Sequence, residues 1–320
     1  MVNLLITTHS APLLAALAPE LAAAVSYAKA EKAEATRRAY GTDFRLFNKW
    51  CADKVVSAMP ASPESVAAYL AHGVSHGARA STLGRRVAAI RYAHKLANLP
   101  TPTDSEAVKA TLRGIRRTIG AAVTKKAPAL ADRIKAMVHG CPDTPSGKRD
   151  RALLLLGFAG AFRRSELVAL NVEHLEEAAE GLRVLIASSK TDQEGQGATI
   201  AITRGSEACP VRAVRDWLDV AGIANGPIFR PINKAGTVGT ARLTDRSVAN
   251  IVKAYAGRAG LDQKLFSGHS LRRGFLTSAA GKGASIFKMM DVSRHKSIET
   301  LRGYVRDAEL FKDHAGAGLL

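Results

Sequence analysis

The chain has 320 residues, 47% of them hydrophobic, and 46 Lys and Arg against 28 Asp and Glu give it a net charge of +18. That much apolar material excludes a disordered basic tail, and the length suits two domains. Three widely spaced cysteines, Cys51, Cys141 and Cys209, exclude a disulfide framework and a CxxC metal site, and no apolar run has the length of a membrane helix; a reducing cytoplasm is expected, with no membrane partner.

The first 30 residues are rich in Leu and Ala, but they lack a basic start and carry Pro12, Pro19 and Glu20, which argues against a signal peptide. Residues 1–19 read as a flexible leader, with helix beginning near Pro19. From Ala33 to Cys51, Thr36, Tyr40, Phe44, Phe47 and Trp50 recur at helical spacing, with Arg37, Arg38, Arg45 and Lys49 on other faces. Ser62-Pro63 is a cap followed by proline at the first helical position, and Val66, Tyr69 and Leu70 continue that helix. A further helix is expected to open at Ser81, with Leu83, Val87, Ile90 and Leu96 on its apolar face and Arg85, Arg86 and Lys95 on its polar one. Leu99-Pro100-Thr101-Pro102 ends it, and Ser105 to Thr118 forms another. Residues 20–118 therefore read as a small all-helical domain.

Residues 119–128 lack apolar periodicity and read as a linker, leaving 129–320 as the second domain. Within it, Asp150 to Gly160 holds Leu153 to Leu156 in an all-round apolar helix suited to an interior. Leu182 to Ile186 and Ala198 to Ile202 are strand-like, joined by a polar hairpin tip at Ser188 to Gly197. Helices are expected again at Cys209 to Val220, Ser247 to Ala259, Ser270 to Gly281, Ser285 to Met290 and Ser297 to Leu310. The fold class is mainly α, with a helical N-terminal domain and an α-rich second domain carrying a small antiparallel sheet. The basic excess is split almost evenly at Thr118, which suits a polyanion gripped by both halves; a nonspecific coat protein is the plainer alternative.

Gly268-His269-Ser270-Leu271-Arg272-Arg273 places a histidine and an arginine three apart at an expected helix start, where Ser270 can cap and free backbone N–H groups favour an anion. The pair alone says little, since His-x-x-Arg recurs at His76 to Arg79. Around it, however, stand Arg163 with Glu166 upstream, Lys190 in the hairpin tip, and His295 and Tyr304 downstream. Arg272 to Tyr304 spans 32 residues and His295 to Tyr304 spans 9. This ordered set resembles the catalytic constellation of the tyrosine recombinases, the phage integrase family. The likeness runs over roughly residues 30–320, is strongest in the motifs, and includes Leu99 to Val108, LPTPTDSEAV, at the end of the first domain.

The resemblance implies a site-specific recombinase that cuts and rejoins DNA through a 3′-phosphotyrosyl intermediate and a Holliday junction, with no cofactor. Tyr304 would be the nucleophile, Arg163, Arg272 and His295 the donors to the phosphate, His269 the base and Lys190 the general acid; Glu166 would orient a neighbour. Of the arginine pairs, Arg163 and Arg272 match the motif better than Arg164 and Arg273. The implied partners are double-stranded DNA with inverted-repeat half-sites and the protein itself, as a dimer on each site and a tetramer in the synapse. The two domains would clamp the duplex, with Arg37, Arg38, Ser81, Thr82, Arg85, Arg86 and Arg246 toward the grooves, and the tail from Asp307 to Leu320 would dock on a neighbouring subunit. A type IB topoisomerase or telomere resolvase shares this chemistry, and an inactive sequence-specific DNA-binding protein is a more distant alternative. Taken singly, each residue has a plain reading: Arg163 and Glu166 as a surface ion pair, Lys190 as a solvated loop lysine, His269 as a cap, His295 as a loop residue and Tyr304 as a helix packer. Six residues in order at matching gaps outweigh those readings.

Overall fold

In the computed structural model, the structure describes residues 17–120, 126–187, 197–308 and 317. The chain divides into two compact units, with the boundary between Thr124 and Lys125.

The first unit contains five helices among its described residues: α1 (Ala18–Ala30), α2 (Glu34–Asp53), α3 (Pro63–Ser75), α4 (Ala80–Leu96) and α5 (Glu106–Ile119). Two caps are as the sequence implies: the side chains of Ser62 and Ser105 accept from the N–H groups of Ser65 and Val108. Ser81 does not open its helix. The preceding Ala80 is already helical and buried, Arg79 occupies the cap position, and Ser81 is an exposed residue of the first turn. Phe47, Cys51, Val66, Tyr69, Leu70, Leu83, Ile90 and Val108 form the core. One ion pair ties α2 to α4: Arg85 donates from Nε and Nη2 to the two carboxylate oxygens of Asp43 at 2.6 and 3.2 Å, and Asp43 is buried.

The second unit is organised around α7 (Pro145–Ala159), whose Ala152 to Leu156 are all buried, as the all-round apolar run implies. Against it pack α9 (Pro210–Ala221) and α11 (His269–Gly281), and around these lie α6 (Ala131–His139), α8 (Arg164–Ala169), α10 (Asp245–Arg258), α12 (Ile286–Ser293) and α13 (Ile298–Ala308). Three strands form an antiparallel sheet in the order β1 (Leu175–Ala178), β2 (Gly181–Ile186), β3 (Ala198–Thr203). Leu182, Val184 and Ile186 alternate inward, facing Ile202, Ile200 and Ala198 in register, so period-2 patterning fixes which face meets the core. Strand β1, reading Leu-Glu-Glu-Ala, and helix α6 go beyond the elements expected from the pattern.

The segment after the unit boundary lies on α11 and on the turn just ahead of it. Ala127 N–H donates to Leu265 O, Ala129 N–H to Ser270 O and Ala131 N–H to Ser278 Oγ, at 2.8, 3.0 and 3.1 Å. This close approach requires glycine at 274, since a Cβ there would stand 1.8 Å from the carbonyl oxygen of Ala129. Gly274→Ala is expected to cost about 1 to 3 kcal/mol of stability. Urea unfolding followed at Trp217 in a Trp50→Phe background, where it is the sole tryptophan, measures this; an unchanged midpoint would mean that the backbone contact is not tight.

Candidate active site

The ends of α7, α8, α11, α12 and α13 bring the proposed residues together. After α7, Ala161 adopts a left-handed backbone with φ of 46° and turns the chain so that Arg163 precedes α8 as its N-cap residue. Three residues on, the side chain of Glu166 folds back: Oε2 accepts the N–H of Arg163 at 2.9 Å and Oε1 its Nη1 at 2.5 Å. This is no surface pair, because the Glu166 side chain is 1% exposed. The neighbouring Arg164 turns elsewhere, to Asp245 at 3.7 Å.

Helix α11 supplies His269 and Arg272. His269 is its first residue, exposed, with its N–H on Ser267 Oγ. Ser270 does not cap the helix; it is fully buried, and its hydroxyl accepts the N–H of Ser267. Arg272 is buried, donating from Nη1 to Ala161 O at 2.7 Å, while Nη2 lies 3.2 Å from both ring nitrogens of His295. Arg273, by contrast, reaches back to Lys126 O. Burial, then the charges of Arg163 and Arg294, push the Arg272 guanidinium down to about 9.

His295 follows α12. Ser293 has one hydroxyl proton and gives it to Met289 O at 2.6 Å, so its oxygen accepts from His295 Nδ1–H at 2.8 Å. That network assigns the tautomer and leaves Nε2 as the acceptor for Arg272. Tyr304, on α13, packs beside Leu276, Met289 and Leu301 with its ring centroid 6.5 Å from that of His295. It is half-buried, as a helix packer would be, yet faces the cluster. Lys190 and the tail from Glu309 onward, apart from Ala317, lie outside the described residues.

Arg294 belongs to this cluster although the motif reading left it out. It closes α12 in the left-handed region, with φ of 58°, where glycine is the usual residue and a side chain costs about 1 to 2 kcal/mol. Its side chain is 8% exposed, donates to Glu166 Oε2 at 2.7 Å and lies over the Phe162 ring. Against the cost of burial, Arg294 first and then the N–H groups of Arg163 hold the Glu166 carboxyl below its usual range. Arg163 and Arg294 therefore share one carboxylate, Arg272 adds a third guanidinium beside them, and two positive charges remain uncompensated around His295 and Tyr304. Such a site is built to receive an anion.

Burial, then Arg272, Arg163 and Arg294 in that order, push His295 down to about 4. An unfolded chain thus binds the proton more readily than the folded one between about pH 4 and the ordinary value near 6.5. Stability is expected to rise with pH through that window and to fall as the solution is acidified across it. Histidine NMR should find His295 neutral at pH 6 in the free protein and titrating higher when orthovanadate is added; an ordinary titration without the anion would contradict this electrostatic picture.

The other nominated residues sit on the first unit and on α10. Arg37 is half-buried, and Arg38 is exposed, 3.7 Å from Glu34. Ser81 is exposed and Thr82 half-buried, while Arg246 is exposed in the first turn of α10, after the Thr244 cap. Arg85 has its carboxylate partner within the unit, and Arg86 lies over the Tyr69 ring, 5.4 Å from its centroid. The two therefore do packing work inside the unit that a basic helical face does not announce.

The phage integrase family model matches residues 130–310, and the family's N-terminal SAM-like domain matches residues 25–98. An integrase/recombinase XerD homologue of Selenomonas ruminantium is 42% identical over 290 residues, covering 89% of this chain and 85% of the relative. The chain belongs to the phage integrase family. It is a tyrosine recombinase, an enzyme that cleaves and rejoins DNA strands. Recombinase Cre of Escherichia phage P1 is 25% identical over 288 residues, with 83% of this chain and 82% of the relative covered, and is less similar than the XerD homologue. Among solved structures, the Tn1549 transposon integrase with transposon right end DNA has the same fold at a TM-score of 0.63 and 14% identity, covering 90% of this chain and 96% of that one. A lambda integrase dimer bound to a COC′ core site gives 0.55 and 14%, with 91% and 86% covered. The recombinase has no helix among its described residues that is long and apolar enough to cross a membrane.

Proposed function

We propose that this recombinase cuts each strand with Tyr304, which attacks the scissile phosphate in line, forms the phosphotyrosyl ester and releases a 5′ hydroxyl. The ester stores the bond energy, so rejoining needs no ATP. Arg163 and Arg272 donate to the nonbridging oxygens, where negative charge gathers in the pentacoordinate transition state. His295 adds a donor once the phosphate has raised its proton affinity. His269 takes the phenolic proton and Lys190 returns one to the leaving oxygen. The carrying observation is the buried Arg272 with Arg163 and His295 around it and Tyr304 alongside, under an excess of two positive charges.

In the same proposal, residues 20–118 and 129–320 grip a duplex from two sides through residues 119–128, with Arg37, Arg38, Ser81, Thr82, Arg86 and Arg246 on the DNA, and Arg85 there while it also holds Asp43. The partner DNA carries inverted-repeat half-sites, with a dimer on each site and a tetramer in the synapse; the lambda integrase dimer on its core site, a protein of the same fold, supports the dimer. A cytoplasmic location completes the reading. The test is a nicked suicide duplex built on the half-site that the protein selects from random DNA. Peptide mapping of the trapped adduct should place the DNA on Tyr304, and two such sites on one molecule should recombine. Relaxation of supercoiled DNA of any sequence, without recombination, would favour a topoisomerase instead.

A further inference from the structure

A left-handed helix end is a poor place for a buried arginine. Only Val55, Asn98, Ala161 and Arg294 among the described non-glycine residues have positive φ, and the last two meet at the catalytic cluster. Arg294 carries both backbone strain and a guanidinium that burial pulls below its usual proton affinity. Something must hold it there. Its Nη1 donates to Gly160 O at 3.2 Å and Val292 O at 2.5 Å, and its Nη2 donates to Glu166 Oε2 at 2.7 Å.

The Glu166 bond bears on the chemistry. The other oxygen of that carboxylate takes Arg163 Nη1. With Arg163 as its only cation, Glu166 would cancel the charge that Arg163 brings to a phosphate, since opposite charges this close and this buried interact strongly. A second guanidinium on the same carboxylate restores a net positive charge to the group.

We propose that Arg294 is a positioning residue for cleavage: it occupies one oxygen of Glu166, so that Glu166 orients Arg163 without neutralising it toward the scissile phosphate. Arg294 does this from inside the protein, with its Nη groups spent on Gly160, Val292 and Glu166, and does not itself reach DNA. The proposal rests on the reading of Arg163 as a phosphate ligand. The charged groups facing His295 are Arg163, Glu166, Arg272 and Arg294, with Tyr304 beside them, so removal of Arg294 also reduces the positive field on the histidine.

The experiment uses the full chain and the nicked suicide duplex described above. Arg294→Met keeps the stem and removes the charge; Arg294→Lys keeps the charge; Arg294→Gly removes the side chain and relieves the backbone. Single-turnover cleavage is expected to fall about 10- to 100-fold in the Met and Gly proteins while duplex affinity changes less than about 3-fold, and Lys should recover most of the rate. His295 in Arg294→Met should titrate higher than in the parent. If the Met protein does not fold, the Gly protein, free of the left-handed strain, carries the test. Cleavage within about 3-fold of the parent in both would overturn the proposal. So would equal losses in all three, in step with lost thermal stability, because that describes a structural plug. Arg163→Lys separates the two levels: if it cleaves normally the reading of Arg163 is wrong, whereas if it is inactive and Arg294→Met is normal, only the role of Arg294 fails.

Discussion

Tyr304→Phe is expected to abolish covalent capture of a nicked DNA duplex, by at least about 10⁴-fold, and to leave duplex binding unchanged. The substitution removes one oxygen and nothing else that the structure shows to matter. The ring is held by Leu276, Met289 and Leu301, apolar neighbours that pack phenylalanine equally well. In the proposed grip on DNA, by contrast, binding depends on charges of both units, and none of them belongs to Tyr304. Salt should therefore weaken binding of parent and variant along the same slope, since each neutralised phosphate contributes about 0.9 log unit per log unit of salt. Gel-resolved adducts and fluorescence anisotropy measure the two quantities. An adduct surviving in the phenylalanine protein would move the nucleophile to another residue.

The second large effect concerns Arg272. Arg272→Met should lower the single-turnover cleavage rate about 10² to 10³-fold, the usual consequence of losing one preorganised donor to developing charge. Its effect on stability should be far smaller, and the reason lies in the free site. Arg272 is buried beside Arg163 and Arg294, so its charge is held at a cost, which its lowered proton affinity records. Methionine fills the stem's volume and removes that repulsion, at the expense of the bond to Ala161 O. A thermal melt near that of the parent alongside severely slowed cleavage is the expected pair of results. A melt lowered in proportion to the rate would make Arg272 a structural residue that the resemblance had over-interpreted.

Much of this was legible from residue order. Ser62-Pro63 caps α3, the leucine run is buried, and the strand-like runs at Leu182 to Ile186 and Ala198 to Ile202 are paired strands, because each follows from local geometry. The polar cluster was legible as a set: Arg163 joins Arg272, His295 and Tyr304 from more than a hundred residues earlier, which spacing alone does not explain and family likeness does. The serines misled. Ser81 and Ser270 look like caps, but one lies inside a helix already begun and the other is buried with its hydroxyl on Ser267. Arg294 gave no signal, since nothing in Ser293-Arg294-His295 announces a left-handed turn; glycine would have. Arg85 reads as one more cation on a basic face until its buried partner Asp43, 42 residues earlier, comes into view.

The hydrogen bonds that tie residues 127–131 to α11, at Ser270 and Ser278, and to Leu265 just ahead of it have a mechanical side. They make the chain's entry into the second unit part of the same rigid piece as the helix bearing His269 and Arg272, with the Ala129 bond landing on Ser270, between those two residues. A pull on the chain ahead of Lys126 is thus not absorbed by slack within the unit. It arrives as tension on the helical turn that carries the histidine and the arginine, so a load applied at the chain's entry is expected to be felt as a change of aim at His269 and Arg272.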